Sequence, residues 1–458
     1  MKTRMMYVAG AALASAIATG PASAEPLAYY VSEALDFNPE VGIVQNNQLA
    51  ILQERRRAFA GYLPRVDVFA GVGGERSNNP STRAATGKNS YVDLHREEMG
   101  ISITQMLFDG FFTHHEVARH DARARAEAYR VVDAAEDVAL ATAEAYLGVL
   151  REDELIDFAK ENLEAHLRVY DQISRRSERG VGRRADLDQI SGRLALARSN
   201  LLAAEGNARD ARATFFRVTG QNADSLEVPI VDAELPTDIT GALNRALDHH
   251  PTLRAAEADV ESAYSQHEVA RANDFPRLDL ELGASNNHEV DGVRGTDEDL
   301  IAMVRMNYNI YRGGADLARK RETAHRINVA KEVRDRAHDE VIESMQLSWN
   351  DYTTTRQRLE YLEGHMKSSL SSRDAYTKQF NIGQRTLLDL LDTENEVFSA
   401  QSAYVAAKYR LILASFRVYN SMGALLPALG LAPPQLTDDE VKARIRVAVE
   451  GDNDPANY

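Results

Sequence analysis

The sequence predicts a mainly α-helical protein that also supplies strands to a membrane β-barrel, built twice from a helix–β-hairpin–helix repeat. Three observations carry this reading. A heptad seam of Leu388, Leu391, Asn395, Phe398, Ser402, Val405, Tyr409, Ile412, Phe416 and Tyr419 recurs 201 positions earlier as Leu187, Ile190, Leu194, Ala197, Leu201, Ala204, Ala208, Ala211, Phe215 and Val218. Ahead of it, Gly383, Arg385 and Asp389 match Gly182, Arg184 and Asp188 at the same offset. Two further markers share an offset of 212. Ala34-Leu35-Asp36-Phe37-Asn38-Pro39 returns as Ala246-Leu247-Asp248-His249-His250-Pro251, and Leu63-Pro64-Arg65 returns as Phe275-Pro276-Arg277. After each of the prolines Pro64 and Pro276 the apolar period drops from helical to two.

In order along the chain, Lys2 and Arg4 precede an apolar run from Met5 to Ala18, and Ala22-Ser23-Ala24 offers a small-residue cleavage site. Residues 1–24 therefore read as a secretory signal peptide, cut before Glu25. Its removal takes two positive charges and moves the net charge from −16 to −18. So acidic a surface repels phosphate and disfavours nucleic acid as a partner, although most of these charges also serve simple solvation. No later stretch reaches about 18 uninterrupted apolar residues, so no transmembrane helix is expected. The absence of cysteine fits an exported bacterial protein held by helix packing, and excludes an acylated N-terminal cysteine.

The first repeat spans 25–220. It begins with helix from Pro26 to Gly61, broken at Asn38-Pro39. A strand hairpin follows at about 65–108: Val66, Val68, Ala70 and Val72 alternate with Asp67, Phe69, Gly71 and Gly73, a loop covers Arg76–Asp93, and Ile101 and Ile103 alternate with Ser102 and Thr104 on the return. A long helix over 111–179 and a second over 183–219 complete the repeat. In the long helix, Ala124, Ala128, Val131, Ala135, Val138, Thr142, Ala145 and Val149 form one seam, with Val132, Ala139 and Tyr146 beside it, so that it can touch neighbours on two sides. The second repeat, 221–430, has its hairpin at about 277–310, its long helix at 315–380 and its last helix at 384–422. Helices of nearly seventy residues would extend ~100 Å. The segment 431–458 is a polar tail with Pro433-Pro434, read as disordered apart from a helix over Asp438–Val449.

Strands of roughly ten residues cross a bilayer when tilted. A half-buried soluble hairpin is the alternative for either copy alone. Leu278, Leu280, Leu282 and Ala284 alternate with Asp279, Glu281 and Gly283, and Arg305 lies on the returning strand. Asp279, Glu281 and Arg305 point into one space; a dry core would not take three charges unpaired, whereas a water-filled lumen would. Four strands cannot close a barrel, since the smallest have about eight, so several chains would pool theirs. A fibrous coiled coil is the competing use of the long helices, but it has no need of two strand hairpins at matching points.

Taken together, the signal peptide, the duplicated helix–hairpin–helix plan and the stretch Gly383-Gln384-Arg385-Thr386-Leu387-Leu388-Asp389-Leu390-Leu391-Asp392 resemble the TolC-like outer-membrane channel proteins of Gram-negative bacteria, over nearly all of 25–430. The resemblance implies a homotrimer with one twelve-stranded barrel among outer-membrane lipids, continued by a long periplasmic α-helical coiled-coil tunnel. It implies a passive export channel docked by a periplasmic adaptor and an inner-membrane ABC transporter or proton-driven pump. It further implies a periplasmic gate. Asp389 and Asp392 resemble the aspartates ringing the entrance, and Arg385 and Asp188 resemble members of the latch between hairpins. Phe380 stands where relatives often carry an aromatic, but it lacks the hydroxyl through which a tyrosine could bond across the latch. Three apart on a helix, Asp389 and Asp392 share a face; as exposed charges they could also be merely solvated. Three-fold symmetry would make them a cation-attracting ring of six carboxylates, whose mutual repulsion would favour protonation of one or capture of a cation.

The run Ile382 to Asp392 followed by Glu394-Asn395-Glu396, together with the missing cysteine, looks most like the type I secretion branch of that family. Multidrug efflux is the alternative within transport, and a non-pore structural coiled-coil protein of the envelope the alternative outside it. The chain has no phosphate-binding glycine loop, metal-ligand spacing or Gly-x-Ser-x-Gly, so neither an enzyme nor a cofactor is expected. The adjacent pairs His114-His115 and His249-His250 would point about 100° apart on a helix and suit no shared metal.

Overall fold

A computed structural model describes residues 26–229 and 235–434. The expected signal peptide and almost all of the polar tail lie outside them. The element order is α1 (Leu27–Phe37), α2 (Pro39–Phe59), β1 (Arg65–Ser77), α3 (Pro80–Thr86), β2 (Val92–Phe108), α4 (Phe112–Glu178), α5 (Arg184–Thr219), α6 (Ile239–His249), α7 (Pro251–Arg271), β3 (Arg277–His288), β4 (Thr296–Asn307), α8 (Ala315–Asn381), α9 (Leu387–Ser421) and α10 (Leu425–Ala428). The duplication is visible in the bounds themselves. Both ends of α6 and of α7 lie 212 positions after those of α1 and α2, and both ends of α8 lie 203 after those of α4. No described helix is long and apolar enough to cross a membrane.

The chain divides into two compact units. One contains α2, the four strands, α3, α4 as far as Leu140, α6, α7, α8 as far as Arg356, and the chain from Ala414 onward. Its strands form a single antiparallel sheet in the order β1-β2-β3-β4. The register sets the two faces. Val66 and Val68 pair with Ile103 and Ile101, which pair in turn with Leu282 and Ala284, and these with Ala302 and Leu300. All of these side chains lie on one face, because directly paired residues point the same way. Two of the valines, Val68 and Val72, are about three-quarters exposed, and Leu300 is 90% exposed. An apolar sheet face so open to its surroundings suits lipid rather than water.

The segment between β1 and β2 is not a plain loop. Asn79 accepts from the Thr82 backbone N–H at 2.9 Å while the Thr82 hydroxyl accepts from the Asn79 N–H at 2.9 Å, a capping box that starts α3 with Pro80 in its first turn. Asn79 also donates to the Asp291 carbonyl at 2.7 Å, and Arg96 reaches Glu75 and Asp291 at 2.8 and 2.9 Å. The connections of the two hairpins are thus bonded to each other.

In the same unit, α4 buries Glu136 almost completely, at 2% exposure. Its two carboxylate oxygens accept the backbone N–H groups of Leu425 and Leu426 at 2.7 and 3.0 Å, clamping the start of α10. Around it, Asp133 accepts from the Thr252 hydroxyl at 2.7 Å and Ser421 bonds Ser348 at 2.8 Å. Gly423 has φ +64°, and a Cβ there would run into Pro251. The turn after α9 is therefore seated against the proline that opens α7.

The other unit contains α1, α4 from Ala141, α5, α8 from Gln357 and α9 as far as Leu413. Near one end, Tyr30 packs edge-on to Phe215 at 5.1 Å and against Tyr146 at 5.8 Å, with all three fully buried. The tyrosine hydroxyls are satisfied by the backbone of Asp224 and Glu227. The seam of α5 is buried at Ile190, Leu194, Ala197, Ala208, Phe215 and Val218.

Candidate gate and conduit surfaces

The hairpin α8–α9 turns through a Schellman motif. The Gly383 N–H bonds the Phe380 carbonyl at 3.0 Å, the Gln384 N–H bonds that of Gln379 at 2.9 Å, and Gly383 takes φ +79°. In α4–α5 the same two bonds run from Gly180 to Ser177 and from Val181 to Arg176, with Gly180 at φ +76°. Gly180, and not the sequence-matched Gly182, therefore does the conformational work of Gly383. Gly182 is needed for another reason, since a Cβ on it would press into the backbone of Arg176 and Ser177.

Beneath the two turns lies one apolar cluster of Val169 and Ile173 from α4, Ile190 from α5, Phe380 from α8, and Leu387, Leu390 and Leu391 from α9. Phe380 is 5% exposed, and the Arg176 guanidinium stands over its ring at 5.5 Å. Its contacts are those of a core residue joining the hairpins. Burial on α9 runs through Leu387, Leu390 and Leu391, whereas Leu388, the first residue of the expected seam, is 48% exposed. The packed stripe is rotated by one residue at this end.

The charged candidates surround the cluster. Asp389 forms a capping box with Thr386, taking the Thr386 N–H at 3.2 Å and its hydroxyl at 2.9 Å while the Asp389 N–H bonds back to Thr386 Oγ1 at 3.2 Å. The Thr386 hydroxyl and N–H, with Arg385 nearby, hold this carboxyl below its ordinary range, so within one chain it is ionised. Asp392 accepts from Arg193 of α5 at 2.7 Å. Arg385 lies over the Tyr376 ring at 4.2 Å and donates to Gln379 at 2.9 Å. Asp188 is exposed and makes no ion pair among the described residues. The chain thus brings Phe380, Asp389 and Asp392 to one hairpin end, but Arg385 and Asp188 do not bond each other within it. Arg193 escaped the sequence reading, because an Arg–Asp pair across two helices has no fixed spacing along the chain.

On the sheet, Asp279, Glu281 and Arg305 share the face opposite Leu278, Leu280 and Leu282. They are not unpaired. Arg277 donates to Asp279 at 2.8 Å, and Arg305 to Glu281 at 2.7 Å. Arg65 and Asp67 pair on the same face at 2.7 Å, and Ser102 and Thr104 lie between them and β3. This face thus carries paired charges and hydroxyls with no net charge at this end, interrupted by Met106 opposite Asp279 and Met303 opposite Glu281.

Comparison with known proteins accords with this arrangement. A family profile described as outer membrane efflux protein matches residues 30–221 and 242–424. The outer membrane efflux protein BepC of Brucella suis is 26% identical over 347 residues, covering 75% of each chain. The alkaline protease secretion protein AprF of Pseudomonas aeruginosa is 24% identical over 422 residues, covering 90% of this chain and 88% of AprF. The crystal structure of the CmeC outer membrane channel of Campylobacter jejuni superposes with a TM-score of 0.75 at 18% identity, over 92% of this chain and 89% of CmeC.

Proposed function

Since the chain belongs to the outer membrane efflux protein family, we propose that it is the outer-membrane conduit of a type I protein secretion system. In this reading three copies pool their strands into one twelve-stranded barrel, and their long helices form a periplasmic passage. An adaptor protein and an inner-membrane ABC transporter deliver cargo to it. The channel itself is passive and performs no catalysis.

One observation carries the conduit reading: a four-stranded sheet with both edges open, one apolar face turned outward and one face of paired charges. Open edges bearing unpaired backbone groups cannot sit in a bilayer, so the sheet needs further copies of itself to close. Once it is closed, a polar face has a use only around water. The helix hairpin end, with Asp389 and Asp392, then serves as the gate, and Arg385 and Asp188 serve as contacts between copies, since neither satisfies the other within one. The secretion branch is favoured by the run from Ile382 to Asp392, by the absence of cysteine, and by the likeness to AprF along nearly its whole length.

Drug efflux through a proton-driven pump is the second reading, favoured by the likeness to BepC. Deleting the gene and restoring it on a plasmid separates the two. Loss of a protein from the culture medium with unchanged drug tolerance supports secretion. Hypersensitivity to apolar drugs with an unchanged set of exported proteins supports efflux and overturns the first reading.

A further inference from the structure

We infer that Arg193 sets the charge of the gate, by neutralising Asp392 within each chain and leaving Asp389 as the one carboxylate per chain that acts on a passing ion. This rests on the gate reading above and adds to it a residue and a charge count. A ring of two free aspartates per chain would carry six negative charges in a trimer; with Arg193 engaged it carries three.

The pair is positioned from below. Ile190, one helical turn before Arg193 on α5, is fully buried in the hairpin cluster, as is Leu391, immediately before Asp392 on α9. Both backbones are thereby fixed, and the Arg193 side chain is only 30% exposed while that of Asp392 is 55% exposed. A guanidinium held this way loses less conformational freedom on pairing than one on an open surface. A second group marks where the positive charge sits. His166 of α4 is 1% exposed; its Nδ1–H donates to the Asn162 carbonyl at 2.8 Å, and its buried Nε2 has no hydrogen-bond partner. Burial, with the nearby Arg193 charge adding to it, holds His166 below its ordinary range, so the ring stays neutral and contributes no charge of its own.

Asp389 cannot be neutralised in the same way. Its hydrogen-bond partner Thr386 offers a hydroxyl and a backbone N–H, which bind the carboxylate without cancelling its charge. The nearby Arg385, whose charge lowers this carboxyl, donates to Gln379 and lies over Tyr376 instead of pairing with it. The two aspartates are thus unequal, though sequence alone presents them as a matched pair.

The test is block of single-channel current by hexamminecobalt(III), measured on purified trimers in planar bilayers. For a single positive charge at close range in water-like surroundings, unmasking one carboxylate tightens binding about fivefold, and a trivalent blocker facing three unmasked carboxylates feels a larger pull. Arg193→Gln should therefore strengthen block at least that much, and Arg193→Lys should leave it near the wild-type level. Arg193→Gln combined with Asp392→Asn restores the wild-type charge and should restore wild-type block. That double variant also leaves no unpaired charge behind, so it guards against misfolding of the single one. If Arg193→Gln leaves block unchanged while replacing Asp389 and Asp392 together by Ala weakens it, the role of Arg193 is overturned and the gate stands. If neither change affects block, the gate itself lies elsewhere.

Discussion

Glu136 provides a pH-dependent clamp whose size follows from its surroundings. Burial pushes its carboxyl up to about 7, against an ordinary value of 4.5, even though the N–H groups of Leu426 and Leu425 pull the other way. Asp137 and Asp133 on the same helix add repulsion, and both are themselves raised by burial. A carboxyl that keeps its proton to higher pH when folded binds more protons than the unfolded chain between 4.5 and 7. Its contribution is therefore greatest in acid and is lost as pH rises through that window, by about 3 kcal/mol in all. His250 acts in the opposite sense. Burial lowers it from 6.5, so its contribution grows as pH rises toward that value. Nearby charges outside α4 are few: Glu40 of α2 adds to the repulsion at Asp137, while Asn420 of α9 is neutral. The assay is hydrogen exchange of the segment 424–431 in the assembled protein, corrected for the intrinsic rate at each pH. Protection should fall about thirtyfold from pH 5.5 to 8, the part of the window covered. Glu136→Gln should remove most of this slope, leaving the part due to Asp133 and Asp137, and lower protection at pH 5.5, since one backbone N–H then faces an amide NH₂ at a cost of about 1–3 kcal/mol. Protection that is flat or rises with pH in the unaltered protein would refute the reasoning.

Three further outcomes are expected. Single cysteines at positions 279, 281 and 305 should react with a membrane-impermeant thiol reagent while those at 278, 280 and 282 do not; the chain has no native cysteine to interfere, and the reverse pattern would exchange lumen and lipid faces. Phe380→Ala removes the ring at the centre of the hairpin cluster and should cost about 3–5 kcal/mol locally, seen as faster proteolysis at residues 179–183 and 382–386. Unchanged cleavage would mean that the tips are held by something other than this cluster. Replacing Asp389 and Asp392 together by Ala should abolish cation preference in a salt gradient, and retained preference would move the selective ring elsewhere.

The duplication and the strand hairpins were legible because periodicity and proline markers survive divergence of individual residues. Pro39 and Pro251 open α2 and α7 at one offset, and the alternation after Pro64 and Pro276 fixes which side chains share a sheet face. Other features turned on local geometry. Asn79-Pro80 and Thr82 form a capping box inside a stretch whose composition reads as loop. Gly182 matches Gly383 by position, but the left-handed residue of the first turn is Gly180, two places earlier. The residues offered for the gate mixed two kinds. Phe380 belongs to the core, Asp389 and Asp392 flank it, and Asp392 is bound to an arginine 199 positions away. Such a contact is set by how two helices face each other, which heptad spacing within either one does not encode.

Single-channel recording from the purified assembly tests the central claim most directly. If three chains close one water-filled barrel, the trimeric fraction extracted from outer membranes should give discrete, long-lived current steps whose reversal potential in a salt gradient favours cations. Absence of steps from that fraction, or equal steps from a monomeric one, would contradict the conduit.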